Sequence, residues 1–160
     1  DPNSGGTEAD IAAQTVMLLA LRRDLDSGAD AVHRIESVRV QLDGLAGTVD
    51  DDSIKRAAAS LQQQLVDLEM NLVDLRLTGG GQDGVRFGSK LISKLNYLAA
   101  GVAGGDFKPT SQQGEVQQVL TGQLRGHLAQ LDGLLAKELK AFNGMLRTRS
   151  IPNIIVRAPR

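Results

Sequence analysis

The sequence predicts an all-α protein: a single domain over residues 1–160, built as an up-down-up-down four-helix bundle with a short extended C-terminal tail. Three observations carry this. Apolar residues recur at spacings of three, four and seven through most of the chain, the period of amphipathic helices. No series of segments alternates with period two, as half-buried strands would. Glycines and prolines gather between the periodic stretches, where turns belong. An antiparallel helical-hairpin dimer is the alternative architecture.

The first helix is expected over about 8–47, where the heptad series Ile11, Leu18, Leu25, Val32 interleaves with Leu21, Ile35, Leu42, Val49. Thr7 and Asp10 imitate a capping box, Asp standing for the usual Glu or Gln. Ser27-Gly28 is the weak spot, where a kink would fall. Gly44 and Gly47 lead out of the helix, and Asp50-Asp51-Asp52-Ser53 supplies the next N-cap, with negative charge suited to the helix dipole. The second helix, about 53–77, sets Ile54, Leu61, Leu68 and Leu75 beside Ala58, Leu65 and Leu72. Gly79-Gly80-Gly81 stops it, in a loop expected to be mobile because glycine loses most backbone entropy on ordering. Leu91, Leu95, Leu98 and Val102 mark a third helix, about 86–103, ending at Gly104-Gly105. Thr110 with Gln113 forms a second capping box. From there Val116, Leu120, Leu124, Leu128, Leu131, Leu135, Leu139, Phe142 and Leu146 trace a fourth helix, about 111–149. The tail, 151–160, holds the β-branched run Ile154-Ile155-Val156 between Pro152 and Pro159, so it is read as extended.

Composition narrows the functions. Hydrophobic residues are 41% and charged residues 23%, so the chain folds rather than staying disordered. The net charge of -1 gives no general attraction to nucleic acid or to an anionic membrane. Aromatic residues are only 2%, a poor supply for a stacking platform. The absence of Cys removes disulfides, thiolate metal sites and Cys nucleophiles. The apolar run Val16–Leu21 is far too short to span a bilayer and is followed by Arg22 and Arg23, so no membrane insertion is expected. An opening at Asp1-Pro2 rather than Met reads as a fragment or processed product.

Each chemical candidate has a plainer reading. His33 and His127 would make haem ligands if they faced each other across the core, but both flank the apolar stripes and read as boundary residues. Asp50, Asp51 and Asp52 lack the alternate spacing of a calcium loop and read as a cap. Gly122, Gly126 and Gly133 mark either the close approach of another backbone or a helix with stability to spare. Asn143 lies beside the buried stripe, where an amide needs partners, and is expected to tie either the connector near Asp106 or the tail. Asp106, Thr110 and Asn143 are therefore the structural polar residues. Lys140, Arg147, Arg149, Arg157 and Arg160 make the C-terminal end basic, as a helix dipole favours. Ile151, Ile154, Ile155 and Val156 form a sticky tail, assigned to docking on this bundle or on a neighbour. No Ser-His-Asp grouping, carboxylate pair or metal spacing is present, so neither catalysis nor a cofactor is expected.

Several segments taken together resemble a known family. Asp1-Pro2-Asn3, Asp10-Ile11-Ala12-Ala13-Gln14, Lys94-Leu95 with Leu98-Ala99, Asp106-Phe107-Lys108-Pro109-Thr110, Ala141-Phe142-Asn143 and Ile151-Pro152 are the residues concerned. They are similar to the C-terminal helical region that follows the β-propellers of large exported bacterial proteins with BNR or sortilin (Vps10)-like repeats, often labelled glycosyl hydrolases. Asn3 departs from the family's Arg, and no Asp-box or Trp occurs here. The resemblance implies a periplasmic or extracellular location and upstream β-propeller domains of the same polypeptide as partners. Any hydrolase label would belong to those propellers. The leading expectation is a non-catalytic accessory bundle; a ligand- or cofactor-binding bundle and a homodimerising helical module are the alternatives.

Overall fold

The computed structural model describes residues 5–156; residues 1–4 and 157–160, which carry the Asp1-Pro2-Asn3 opening, Arg157, Pro159 and Arg160, lie outside the described residues. Among those described the regular structure is helical throughout: α1 (Glu8–Thr48), α2 (Asp52–Leu72), a one-turn α3 (Asp83–Arg86), α4 (Leu91–Ala103), α5 (Ser111–Leu134), a π-helical turn (Leu135–Leu139) and α6 (Lys140–Arg147). The last three follow one another without a break and form one rod.

α1 starts where Thr7 Oγ1 accepts the Asp10 N–H at 3.2 Å and the Asp10 carboxylate accepts the Thr7 N–H at 3.0 Å. It then runs unbroken for 41 residues, about 60 Å at the usual rise. The helix continues without a break through Ser27-Gly28, the spot where a kink was expected to fall. Gly28 is buried, and a Cβ there would lie 3.3 Å from Ile92 Cγ1 and 3.7 Å from Leu124 Cδ1. This glycine marks the point where α4 and α5 both close on α1. The centre of the buried stripe is Leu21, Gly28, Ile35 and Leu42; Leu18, Leu25 and Val32 are its half-buried flank, and Ile11 is exposed.

Long-range contacts set the direction of each helix. Asp24 of α1 accepts a hydrogen bond from Thr121 of α5, and Arg34, farther along α1, pairs with Asp132, farther along α5. α1 and α5 therefore run parallel. Gln14, near the start of α1, holds the carbonyl of Val102 at the end of α4, whereas Gly28 meets Ile92 at the start of α4. α4 is thus antiparallel to α1. α2 is antiparallel as well, following α1 through a tight turn, with Gln62 donating to Asp43. The expected up-down-up-down bundle of four helices is corrected to three columns: α1 up, α2 and α4 in line down, and α5 to α6 up. The physical reason is length. Neither α2 nor α4 alone covers the apolar stripe of α1, and the segment 73–90 makes a side excursion that rejoins the same column instead of reversing the chain.

That excursion corrects two boundaries. α2 ends at Leu72, not near 77, because Val73 is extended and the Asp74 carboxylate takes the Arg76 N–H in a local turn that competes with helix. Leu75, counted in the heptad seam, is 40% exposed. The third helix, expected from about 86, starts instead at Leu91, and the one-turn α3 lies ahead of it. The glycine loop is also more organised than expected: the Asp83 Oδ2 accepts the N–H groups of Thr78, Gly79 and Gly80 at 2.7, 2.8 and 3.2 Å.

The π turn explains the spacing of the last stripe. Buried Leu124, Leu131, Leu139 and Leu146 lie seven, eight and seven residues apart. Eight residues of α-helix overshoot two full turns by about 80°, and one widened turn brings Leu139 back onto the core side. Gly122, Gly126 and Gly133 meet no atom within 4 Å of an added Cβ, so the close-approach reading fails for them.

Candidate functional site

Of the residues selected from the sequence, Asn143 and the tail meet at the end of the molecule where α1 turns into α2. After α6 the chain passes through Ser150, whose φ of 57° is left-handed, and then runs extended. Asn143 donates from Nδ2 to the Ile154 carbonyl at 2.9 Å and accepts the Ile154 N–H on Oδ1 at 2.8 Å. Gln41 repeats the arrangement from α1, donating to the Ile155 carbonyl at 2.7 Å and accepting its N–H at 2.9 Å. Two side-chain amides thus imitate the edge of a strand and satisfy both backbone groups of consecutive residues, which would otherwise stand unpaired against the bundle. The side chains divide accordingly. Ile154 enters the core at 7% exposure, Ile151 and Val156 pack half-buried against it, and Ile155 is 71% exposed. Of the two docking surfaces expected for the tail, this bundle takes up three of the four residues, because a bare apolar strand next to a bundle end is covered most readily by that bundle; Ile155 is left outside.

A second tie lies beside the first. Arg149 donates from Nε to Asp51 at 2.6 Å and from Nη2 to Ser53 Oγ at 2.8 Å. Asp51 is the N-cap of α2 and also accepts the Ser53 and Ile54 N–H groups. The Ser53 hydroxyl, and next the Arg149 guanidinium, hold its carboxyl well below the usual range. Asp50 pairs with Lys55 at 3.2 Å. The acidic run is therefore absorbed by capping and pairing. Among the described residues no group of three or more His, Asp or Glu is placed to hold a metal ion, and no helix is long and apolar enough to cross a membrane.

The two histidines are not brought together. His33 lies 3.4 Å from Glu36 with its side chain 66% exposed, bordering a groove between α1 and α5. His127 contacts Gln130 and borders a different groove, beside Lys90 and Lys94. With Asn143 committed to the tail, the three do not form a core ligand site. Thr110 caps α5 by accepting the Gln113 N–H at 3.1 Å, and Asp106 is half-buried in the α4–α5 connector. The amide that ties this connector is Gln14, which donates to the carbonyls of Val102 and Gly105.

Gln14, Gln41, Glu69 and Arg149 are polar residues with long-range ties that periodicity did not single out. Gln14 and Glu69 carried the same signal as Asn143, a polar residue on a buried stripe. Glu69 has no exposure and meets Arg39 Nη1 at 2.5 Å, while its Oε1 has no hydrogen-bond partner among the described residues. Burial raises its carboxyl above the ordinary value, against the lowering effect of Arg39.

No family model matches the chain, and no curated protein or solved structure shows a significant match.

Proposed function

We propose that this chain is a non-catalytic accessory domain that packs on or orients β-propeller domains within a larger exported bacterial protein. The supporting observation is the exposed side chain of Ile155 on a backbone immobilised by Gln41. A β-branched apolar group held in one position loses little entropy on docking, which suits a contact between domains. The first check is the encoded polypeptide, in which a propeller region upstream is expected. Calorimetry with that region expressed separately should then show binding that weakens at least about tenfold in Ile155→Asp, equivalent to about 1.4 kcal/mol. Ile155→Asp is preferred to truncation at Ser150, since truncation also removes buried Ile154. A polypeptide without propellers, or binding indifferent to Ile155, overturns the reading.

A homodimerising module is the second reading, favoured by exposed Tyr97 and Val116 on the α4–α5 groove. Sedimentation at high micromolar concentration tests it, and a monomer's mass there disposes of it.

A further inference from the structure

Where the excursion rejoins the bundle, a depression of about 460 Å³ opens between the end of α2, the entry to α4 and the middle of α5. Its lining is chemically one-sided. Arg76, Lys90, Lys94 and His127 face it together with the neutral amides Asn71 and Gln123, and no lining residue is acidic. In a chain with 18 basic and 19 acidic side chains, such a lining is not what an even distribution yields.

Charge compensation comes from Asp74, which is not itself a lining residue. Asp74, 6% exposed, accepts from Arg76 Nε at 2.8 Å and from Nη2 at 2.7 Å, while Lys90 is close enough to Asp74 to interact with it electrostatically. The guanidinium carbon of Arg76 also sits 4.6 Å from the centre of the Phe87 ring. Arg76 is therefore fixed from two sides before any ligand arrives, which removes part of the entropy cost of binding. One buried carboxylate leaves at least two of the three permanent cations without compensation at the lining. Gly88, Ser89 and Lys90 bring the chain into α4, and that end of the helix adds positive potential to what the side chains supply.

We propose that this depression binds a phosphate-type oxyanion carried on a small molecule, with Arg76, Lys90 and Lys94 supplying charge and Asn71 and Gln123 supplying neutral hydrogen bonds. Phosphate fits better than a single carboxylate because several cations converge from different elements on one volume, and a tetrahedral, multiply charged group offers oxygens to each. The volume lies within the range of small-ligand sites.

The probes are inorganic phosphate and pyrophosphate, added to the 160-residue chain in low-salt buffer and followed by amide NMR shifts and calorimetry. Saturable shifts centred on Gly88–Leu91, Lys94 and His127 are expected, with pyrophosphate the tighter ligand. The double variant Lys90→Gln/Lys94→Gln should weaken pyrophosphate at least about tenfold. The control Lys108→Gln/Lys140→Gln removes the same charge elsewhere and should leave the affinity unchanged. Lys90 is half-buried and the other three lysines are exposed, and circular dichroism verifies the folds of both variants. Absence of saturation at millimolar pyrophosphate, or equal losses in the two double variants, overturns the proposal.

Discussion

Two stretches lie outside the long helices, the tail after α6 and the excursion between α2 and α4, and they are held by different means. The tail is tied across the molecule: Asn143 reaches Ile154, Gln41 reaches Ile155 and Arg149 reaches Asp51, while Ile154 is buried in the core. The excursion is tied to itself: Asp83 gathers Thr78, Gly79 and Gly80, Asp74 holds Arg76, and no residue from 75 to 90 is buried. Both use side chains to pair backbone groups. Only the tail adds apolar burial and contacts distant in sequence, so only the tail is coupled to the global unfolding of the bundle.

The most severe test of that contrast is Ile154→Ala. Loss of a buried branched side chain should lower global stability by about 2–4 kcal/mol, read as a drop in the denaturant midpoint at unchanged slope. A loss of a few tenths would show that the tail is as independent as the excursion. Asn143→Ala comes next, at about 1–3 kcal/mol, because it strips partners from the backbone N–H and carbonyl of a buried residue. Gln41→Ala should cost less, since its bonds to Ile155 are exposed.

Acid separates the two stretches in a further way. Asp51 and Asp74 both have carboxyls lowered on folding, Asp51 chiefly by Ser53 and Arg149, and Asp74 chiefly by Arg76, to about 2 from an ordinary 3.8. A lowered carboxyl contributes stability at neutral pH that is lost as pH falls from the ordinary value toward the folded one. Burial raises the Glu69 carboxyl, so its contribution has the opposite sign and grows as pH falls. Because Asp51 joins distant elements, Asp51→Asn should flatten the acid limb of global unfolding more than Asp74→Asn does. The reverse order would make the excursion the more strongly coupled stretch. Smallest of all, Asp83→Ala should change global stability by less than about 1 kcal/mol. Its effect should instead appear as faster hydrogen exchange at Thr78, Gly79 and Gly80.

Much of this was legible before folding was considered. The all-helical class, the caps at Thr7 and Thr110 and the stripes on α1, α2 and α5 follow from local chemistry, because a helix places residues three and four apart on one face wherever it is packed. The eight-residue interval between Leu131 and Leu139 even recorded the π turn, which repeated spacings of four had concealed. Asn143 was detectable as an amide on an apolar stripe, although nothing local distinguished a connector from a tail as its partner.

The column order was not legible. Three glycines after a helix look the same whether the chain then reverses or steps aside and resumes, and the outcome depends on how much of α1 remains to be covered beyond α2. Gly28 and Gly126 are likewise indistinguishable as letters within helical stretches, yet one is buried against Ile92 and Leu124 and the other meets open space. The gathering of Arg76, Lys90, Lys94 and His127 around one depression joins an excursion, a helix entry and a distant helix, so no spacing encodes it. By itself the sequence determined the helical class, the caps at Thr7 and Thr110 and the main apolar stripes, because those depend on neighbours within a turn, while the end of α2 and the start of α4 did not. Only the tertiary structure decided which ends meet, since contacts between distant segments depend on the lengths and directions of whole helices.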